Sequence, residues 1–223
     1  MCARYSLKAN PLELQAEFEL QGLPVLEPRY NVAPTQAVPI ITAANAHALT
    51  IARWGLIPSW AKDHRKITNT FNARADTINQ KGVFKESFAK RRCLIPVDGF
   101  YEWKAAGKLK QPLHITLESQ RPFSLAGIWD TWRSDEGLEV VTFSIVTTEP
   151  NDFMRSVHNR MPVVIARADR HRWLTDDAHA AELMAPWLGE KLMAREVSQA
   201  VNKVAIDDPR CLEPAKTVQL PLL

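Results

Sequence analysis

Residues 113–148 read LHITLESQRPFSLAGIWDTWRSDEGLEVVTFSIVTT, and the fold turns on how this stretch is read. It holds three β-type runs in succession: LHITL (113–117), FSLAGIW (123–129) and LEVVTFSIVTT (138–148). All are rich in β-branched, aromatic and aliphatic residues, and none is separated from the next by a helical pattern. Upstream, AVPIIT (37–42), ALTIARW (48–54) and CLIPV (93–97) have the same character, and MPVVIA (161–166) adds another downstream. Helical patterns are fewer. Asn10-Pro11 before LELQAEFEL reads as a capped first helix with Pro in its first turn. Others fall at residues 151–156, 167–174 and 178–188. Strands and helices mix without a βαβ rhythm, so the expected class is α+β. Many short strands point to a twisted, barrel-like mixed sheet flanked by short helices. A single domain over residues 1–223 is expected, with its core at about 2–214.

Composition narrows the function classes. Hydrophobic residues make up 46% and charged residues 24%, enough for a sizeable core. No run of about 18 apolar residues is present, so no transmembrane helix and no membrane partner are expected. The start, MCARYSLKANPLELQ, lacks the apolar segment of a signal peptide, which points to a cytoplasmic chain. Three cysteines, Cys2, Cys93 and Cys211, form no C-x-x-C pair, so neither a zinc site nor a disulfide framework is expected. No Walker or Rossmann glycine pattern occurs among the 8 glycines, and no cofactor is expected. The net charge of +3 decides little by itself. Basic residues gather at Lys62, Arg65 and Lys66, at Lys90, Arg91 and Arg92, and at Lys104, Lys108 and Lys110. These groups read either as solvated loops or as parts of a nucleic-acid face.

Position two is chemically special. Methionine aminopeptidase removes Met1 when a small residue follows, and Cys qualifies. The product carries an α-amine and a thiol on one residue, with unperturbed pKa values of about 7.7–8.0 and 8.5. An aldehyde meeting this pair forms a Schiff base with the amine. The thiol then adds to the imine carbon and closes a thiazolidine. Taken alone, Cys2 reads equally as a small apolar residue.

Six segments concentrate catalytic and nucleic-acid-binding residue types. They are Cys-Ala-Arg-Tyr (2–5), Arg-Tyr-Asn-Val-Ala-Pro-Thr (29–35), Trp-Gly-Leu-Ile-Pro-Ser-Trp (54–60), Asn-Ala-Arg-Ala-Asp-Thr (72–77), Gly-Phe-Tyr-Glu-Trp (99–103) and His-Asn-Arg-Met-Pro (158–162). In this order they resemble the SOS-response-associated peptidase family, which includes abasic-site processing proteins. The likeness runs from Cys2 to about Pro214. It implies one α+β domain, a basic cleft, single-stranded DNA as partner, and an abasic deoxyribose captured on the N-terminal cysteine as a thiazolidine cross-link. Peptidase activity is then at most the removal of what precedes Cys2.

The resemblance also assigns roles. Cys2 is the nucleophile, and Glu102 and His158 move protons during sugar-ring opening and Schiff-base turnover. Glu102 sits on a strand opposite Tyr101 and Trp103, where enclosure raises a carboxyl pKa. Its alternative is a surface ion pair with Lys104 or Lys85. A solvent-facing loop is the alternative for His158, whose imidazole titrates near neutrality. Asn72 orients the aminothiol or sugar; otherwise it is a turn or helix cap. Arg4, Arg74 and Arg160 are expected on DNA phosphates, with structural ion pairs as the alternative. Asn31, Pro34, Trp54 and Trp60, together with Pro58, resemble cleft walls that stack on bases, and Trp54 reads equally as core. Many relatives carry a second aromatic after the position of Trp60, where this chain has Ala61. Thr147, with Thr148, is a further phosphate contact. The other histidines, His47, His64, His114, His171 and His179, match no motif. Two rivals remain: a non-covalent reader of single-stranded or modified DNA, and an N-terminal-nucleophile amidohydrolase. A monomer, nucleoid-associated when bound to DNA, is the expected state.

Overall fold

In the computed structural model, which describes residues 2–107 and 109–215, short strands outnumber and outlast the helices. Strand β1 (Tyr5–Leu7) leads into helix α1 (Pro11–Phe18), then β2 (Arg29–Val32), β3 (Ala37–Thr42) and β4 (Asn45–Trp54). Strand β5 (Asn72–Arg74) and helix α2 (Gly82–Lys90) follow. A strand series comes next: β6 (Arg92–Val97), β7 (Gly99–Ala106), β8 (Leu109–Leu117), β9 (Phe123–Arg133) and β10 (Glu139–Thr148). Helix α3 (Asp152–Arg155), β11 (Met161–Pro162), β12 (Val164–Ile165), helix α4 (Arg170–Thr175) and β13 (Leu192–Glu196) complete the set. Met1, whose removal the aminothiol chemistry requires, and Lys108 of the third basic group lie outside the described residues.

The long runs at residues 123–129 and 138–148 become the hairpin β9–β10, paired from Glu139↔Arg133 to Ile145↔Gly127. From β9 the sheet continues to β6 (Leu94↔Ala126), then to β3 (Ile41↔Leu94) and to β4 (Ile40↔Thr50), all antiparallel. Strand β4 returns to β10 in parallel through Arg53 and Trp54. Five strands thus close on themselves with one parallel joint, which leaves the ring no open edge to present unpaired backbone groups. The fold is α+β with a mixed barrel, as the strand-rich sequence implies. Side chains fill the barrel, and packing inside it dictates Gly127. A Cβ there would stand 2.6 Å from Ile95 Cδ1 and 2.7 Å from Cys93 Sγ, so only glycine lets β6 and β9 approach this closely.

A second sheet, in the order β13-β8-β7-β1-β2, packs on the barrel. Strand β7 alternates as a strand must. Phe100 enters the main core, while Tyr101 and Trp103 turn to a separate cluster with Val197, Val201 and Cys211. Glu102 therefore shares the side of Phe100, facing the barrel. Helix α1 starts where Asn10 and Pro11 mark it: Asn10 accepts from the Glu13 N–H at 3.0 Å, and Glu13 accepts from the Asn10 N–H. This reciprocal cap satisfies two amides that the helix leaves open.

Three local expectations change. Residues 161–166 are two short strands, not one. Met161–Pro162 pairs with β10 and Val164–Ile165 with β9. Val163 bridges the two, donating to the Val146 carbonyl at 2.9 Å and accepting from the Ala126 N–H at 2.8 Å. The chain thus crosses the splayed end of the hairpin. The helix expected over 178–188 shrinks to a 3-10 turn at Ala180–Met184. Pro186 forces Ala185 into an extended conformation and ends the helix there. Helix α2, with Phe84 and Phe88 buried, arises where no helix is expected.

Candidate active site

Four residues far apart in sequence converge at the head of β1. Cys2 is fully buried, and the Asn72 side-chain amide donates to its carbonyl at 2.7 Å. Asn72 opens β5, which runs parallel to β10 through Ile145↔Asn72 and Thr147↔Arg74. A buried strand therefore carries Asn72, in place of the turn or helix cap that was its alternative. Strand β7 lies beside β1 (Tyr5↔Phe100), and the Tyr101 N–H donates to the Arg4 carbonyl at 2.9 Å. That pairing brings Glu102, only 2% exposed, to the same place. The surface pairs with Lys104 or Lys85 are thereby set aside.

Electrostatics tie these groups together. Burial raises the Glu102 pKa above the usual carboxylate range, and the nearby His158 imidazole pulls against that rise. Burial, and then the charge of Glu102, push the Cys2 thiol well above the ordinary cysteine range. The thiol in this pocket is therefore a neutral S–H and not a standing thiolate. His158 is half-buried in the turn after α3, where its N–H donates to the Met154 carbonyl at 2.8 Å. The Arg160 backbone N–H donates to His158 Nδ1 at 3.0 Å.

A cationic flank adjoins this cluster. Arg160 is 8% exposed; its Nη2 donates to the Thr147 carbonyl at 2.6 Å and lies 3.6 Å from Asp76. Its Nε is buried and meets no acceptor among the described residues. Arg74 is half-exposed and grips Asp76 side-on, at 2.6 Å through Nη2 and 3.1 Å through Nε. Sequence reasoning gave Asp76 no role. The signal available was its place two residues after Arg74 in a motif otherwise assigned.

The other expected DNA contacts divide by burial. Asn31 is buried, with its amide nitrogen directed at the carbonyls of Val201, Lys203 and Ile206. Arg4 donates to the Val201 carbonyl at 2.6 Å and to Asn31 Oδ1 at 3.2 Å. These two residues pin β1 and β2 to the C-terminal turns, the structural alternative to a phosphate contact. Thr147 is buried and its hydroxyl faces the Ala73 carbonyl, so its carbonyl serves Arg160 and its side chain meets no solvent. Trp54 is 0% exposed: it stacks on Phe143, tilts against Tyr5, and donates from Nε1 to the Phe71 carbonyl. It belongs to the core. Pro34 is half-buried at the turn after β2.

Trp60 differs from all of these, at 57% exposed. Its loop is fixed on either side. The Ser59 N–H donates to Asp130 at 2.9 Å, and Trp132 Nε1 donates to the Ala61 carbonyl at 2.6 Å. Ala61 itself is buried against Ile57 and Trp132. The loop thus turns the Ala61 methyl group inward and presents the Trp60 ring to solvent. On the expectation of a single-stranded DNA partner, replacing Trp60 with alanine should weaken that binding by about 1–3 kcal/mol, the worth of one base–aromatic stack, without lowering the melting temperature. Fluorescence anisotropy with a labelled oligonucleotide checks this, and unchanged affinity would remove Trp60 from the binding face.

Among the described residues, no group of three or more His, Cys, Asp or Glu side chains is placed to hold a metal ion, and no helix is long and apolar enough to cross a membrane.

Residues 1–204 match the family described as SOS response associated peptidase (SRAP). The chain is 37% identical over 222 residues to the abasic site processing protein YoqW of Bacillus subtilis, covering 96% of this chain and 99% of that one. It is 30% identical to the abasic site processing protein HMCES of Gallus gallus, over 84% of this chain and 66% of that protein. A crystal structure of a protein from Bacteroides thetaiotaomicron superposes with a TM-score of 0.87 at 31% identity, covering 96% of this chain and all of that one.

Proposed function

The chain belongs to the SOS response associated peptidase family, and on that premise we propose that it processes abasic sites by binding single-stranded DNA and capturing the lesion covalently on Cys2. The carrying observation is the convergence of buried Cys2, Asn72 and Glu102 with half-buried His158 in one cluster, joined by the 2.7 Å bond from Asn72 to the Cys2 carbonyl.

Removal of Met1 frees the Cys2 α-amine. An abasic deoxyribose rests mainly as a closed hemiacetal, which must open before it reacts. Glu102, whose pKa burial raises, donates to the ring oxygen when protonated as the anomeric hydroxyl gives up its proton, and the C1′ aldehyde forms. The Cys2 amine attacks C1′. Loss of water from the carbinolamine, with His158 or Glu102 supplying the proton, leaves a Schiff base. The thiol then adds across the C=N bond. Its S–H proton passes by way of a neighbouring base to the imine nitrogen, which becomes a secondary amine as the C–S bond closes the thiazolidine ring. A thiol that stays neutral until this step suits the order of events: the amine acts first and the sulfur locks the product. Asn72, by fixing the Cys2 carbonyl, holds amine and thiol against the same carbon.

Arg74 and Arg160 are the phosphate contacts in this reading. Their position supports it, since Arg74 ends the same short strand that Asn72 opens and Arg160 follows two residues after His158. The test is direct. Mix the protein with single-stranded DNA bearing one abasic site, denature, and resolve on a gel. A slower covalent band is expected; its absence at micromolar protein would overturn the reading and favour a non-covalent DNA-binding module.

A further inference from the structure

Asp76 stands between the two guanidinium groups assigned to DNA phosphates. Its Oδ2 lies 2.6 Å from Arg74 Nη2 and its Oδ1 3.6 Å from Arg160 Nη2. The carboxylate is about half-exposed, so nothing in the core depends on it. We propose that Asp76 is a specificity-determining residue that holds down the affinity of this site for intact single-stranded DNA, so that retention depends on the lesion and not on the backbone. The proposal rests on the DNA reading above.

The argument is one of charge and competition. Arg74, Arg160 and Asp76 together carry a single net positive charge. A phosphate arriving there meets Asp76 across a few ångströms and must displace it from Arg74 or share the donors. Like charges brought together in this way penalise binding. The bond between Asp76 and Arg74 also stabilises the DNA-free state, which lowers affinity further. Backbone contacts carry no sequence or lesion information and supply most non-specific affinity. A built-in carboxylate that subtracts from this contribution penalises every strand equally. The covalent step at Cys2 is open only to an abasic sugar, so a captured abasic strand alone is retained without relying on backbone affinity. Discrimination rises because the wrong ligand is weakened, not because the right one gains a contact.

Asp76→Asn removes the charge while its Oδ1 can still accept a bond from Arg74, which separates electrostatics from positioning. Asp76→Glu keeps the charge. Anisotropy with a labelled oligonucleotide lacking any lesion, run across a series of salt concentrations, reads the effect. D76N is expected to bind intact single-stranded DNA on the order of tenfold more tightly at low salt, the size of removing one charge a few ångströms from a phosphate near the surface. Its log–log salt dependence should steepen by about 0.7, the increment for one further phosphate neutralised on a single strand. D76E should track the parent protein. Binding by D76N that is equal to or weaker than the parent's, with the same salt slope, would overturn the proposal and make Asp76 an orienting partner of Arg74. If the parent itself fails to bind single-stranded DNA with or without the lesion, the DNA reading fails, and this proposal with it.

Discussion

Cys2→Ala is expected to abolish the heat-stable adduct with abasic single-stranded DNA, at least 100-fold below the parent protein, while leaving DNA affinity within about twofold. The reasoning separates two nucleophiles on one residue. Alanine at position two keeps the α-amine after Met1 is removed, so a Schiff base still forms. It has no sulfur to add across the C=N bond, and an imine hydrolyses on heating where a thiazolidine does not. Borohydride should therefore rescue a covalent band in Cys2→Ala by reducing the imine to an amine. The substitution takes only the sulfur from a fully buried side chain, a loss that costs about 1–3 kcal/mol of stability and leaves a folded protein. A heat-stable band from Cys2→Ala without reductant would contradict ring closure through sulfur.

Glu102→Gln is expected to slow capture by about 100-fold, the low end of what a positioned proton donor contributes. Glutamine preserves size and hydrogen bonding but holds no acidic proton. The pH profile carries the sharper signature. Burial raises the Glu102 pKa, so the carboxyl is protonated at low pH and loses its proton as pH climbs through that raised value. Capture by the parent needs the Cys2 amine free, which in an unperturbed setting deprotonates around pH 7.7–8.0, and Glu102 protonated, so loss of the Glu102 proton on raising pH sets a falling limb. Glu102→Gln should lose the falling limb. Stability falls over the same pH range. A carboxyl with a raised pKa in the folded state favours folding only while protonated, and that contribution disappears as pH rises through the raised pKa. Glu102→Gln is therefore expected to melt higher than the parent at pH 8. A profile that keeps its falling limb in this variant would assign the proton donor elsewhere.

The barrel was legible because its strands are buried on long runs, and such runs stand out in any sequence. Residues 37–42, 93–97 and 123–129 each fall within a single strand. Strand β5 was not legible: three residues are too short for a period, and it exists because β10 offers a free edge beyond β4. Helix α2 escaped notice for a related reason, since it has no side-chain cap and buries little beyond Phe84, Ser87 and Phe88. At the site, alternation along β7 by itself places Glu102 opposite Tyr101 and Trp103. Arg4 and Asn31 read as DNA contacts because motif membership says nothing about what lies across the fold. Their partners are backbone carbonyls some 170 to 200 residues later in the chain, which no local pattern reveals. Trp54 and Trp60 share one motif and have opposite fates, since the core takes the first and the loop exposes the second. Asp76 was passed over because its importance is electrostatic and depends on where Arg160 folds back.

The central claim is that both heteroatoms of Cys2 end up bonded to one carbon of the lesion. Intact mass spectrometry of the protein after reaction with an abasic oligonucleotide and brief heating tests this most directly. The expected product is a single 1:1 species with the mass of the chain lacking Met1 plus that of the oligonucleotide, less one water, and fragmentation should place the join on Cys2. A heat-stable adduct mapping to a lysine, or any adduct formed while Met1 is still attached, would contradict it.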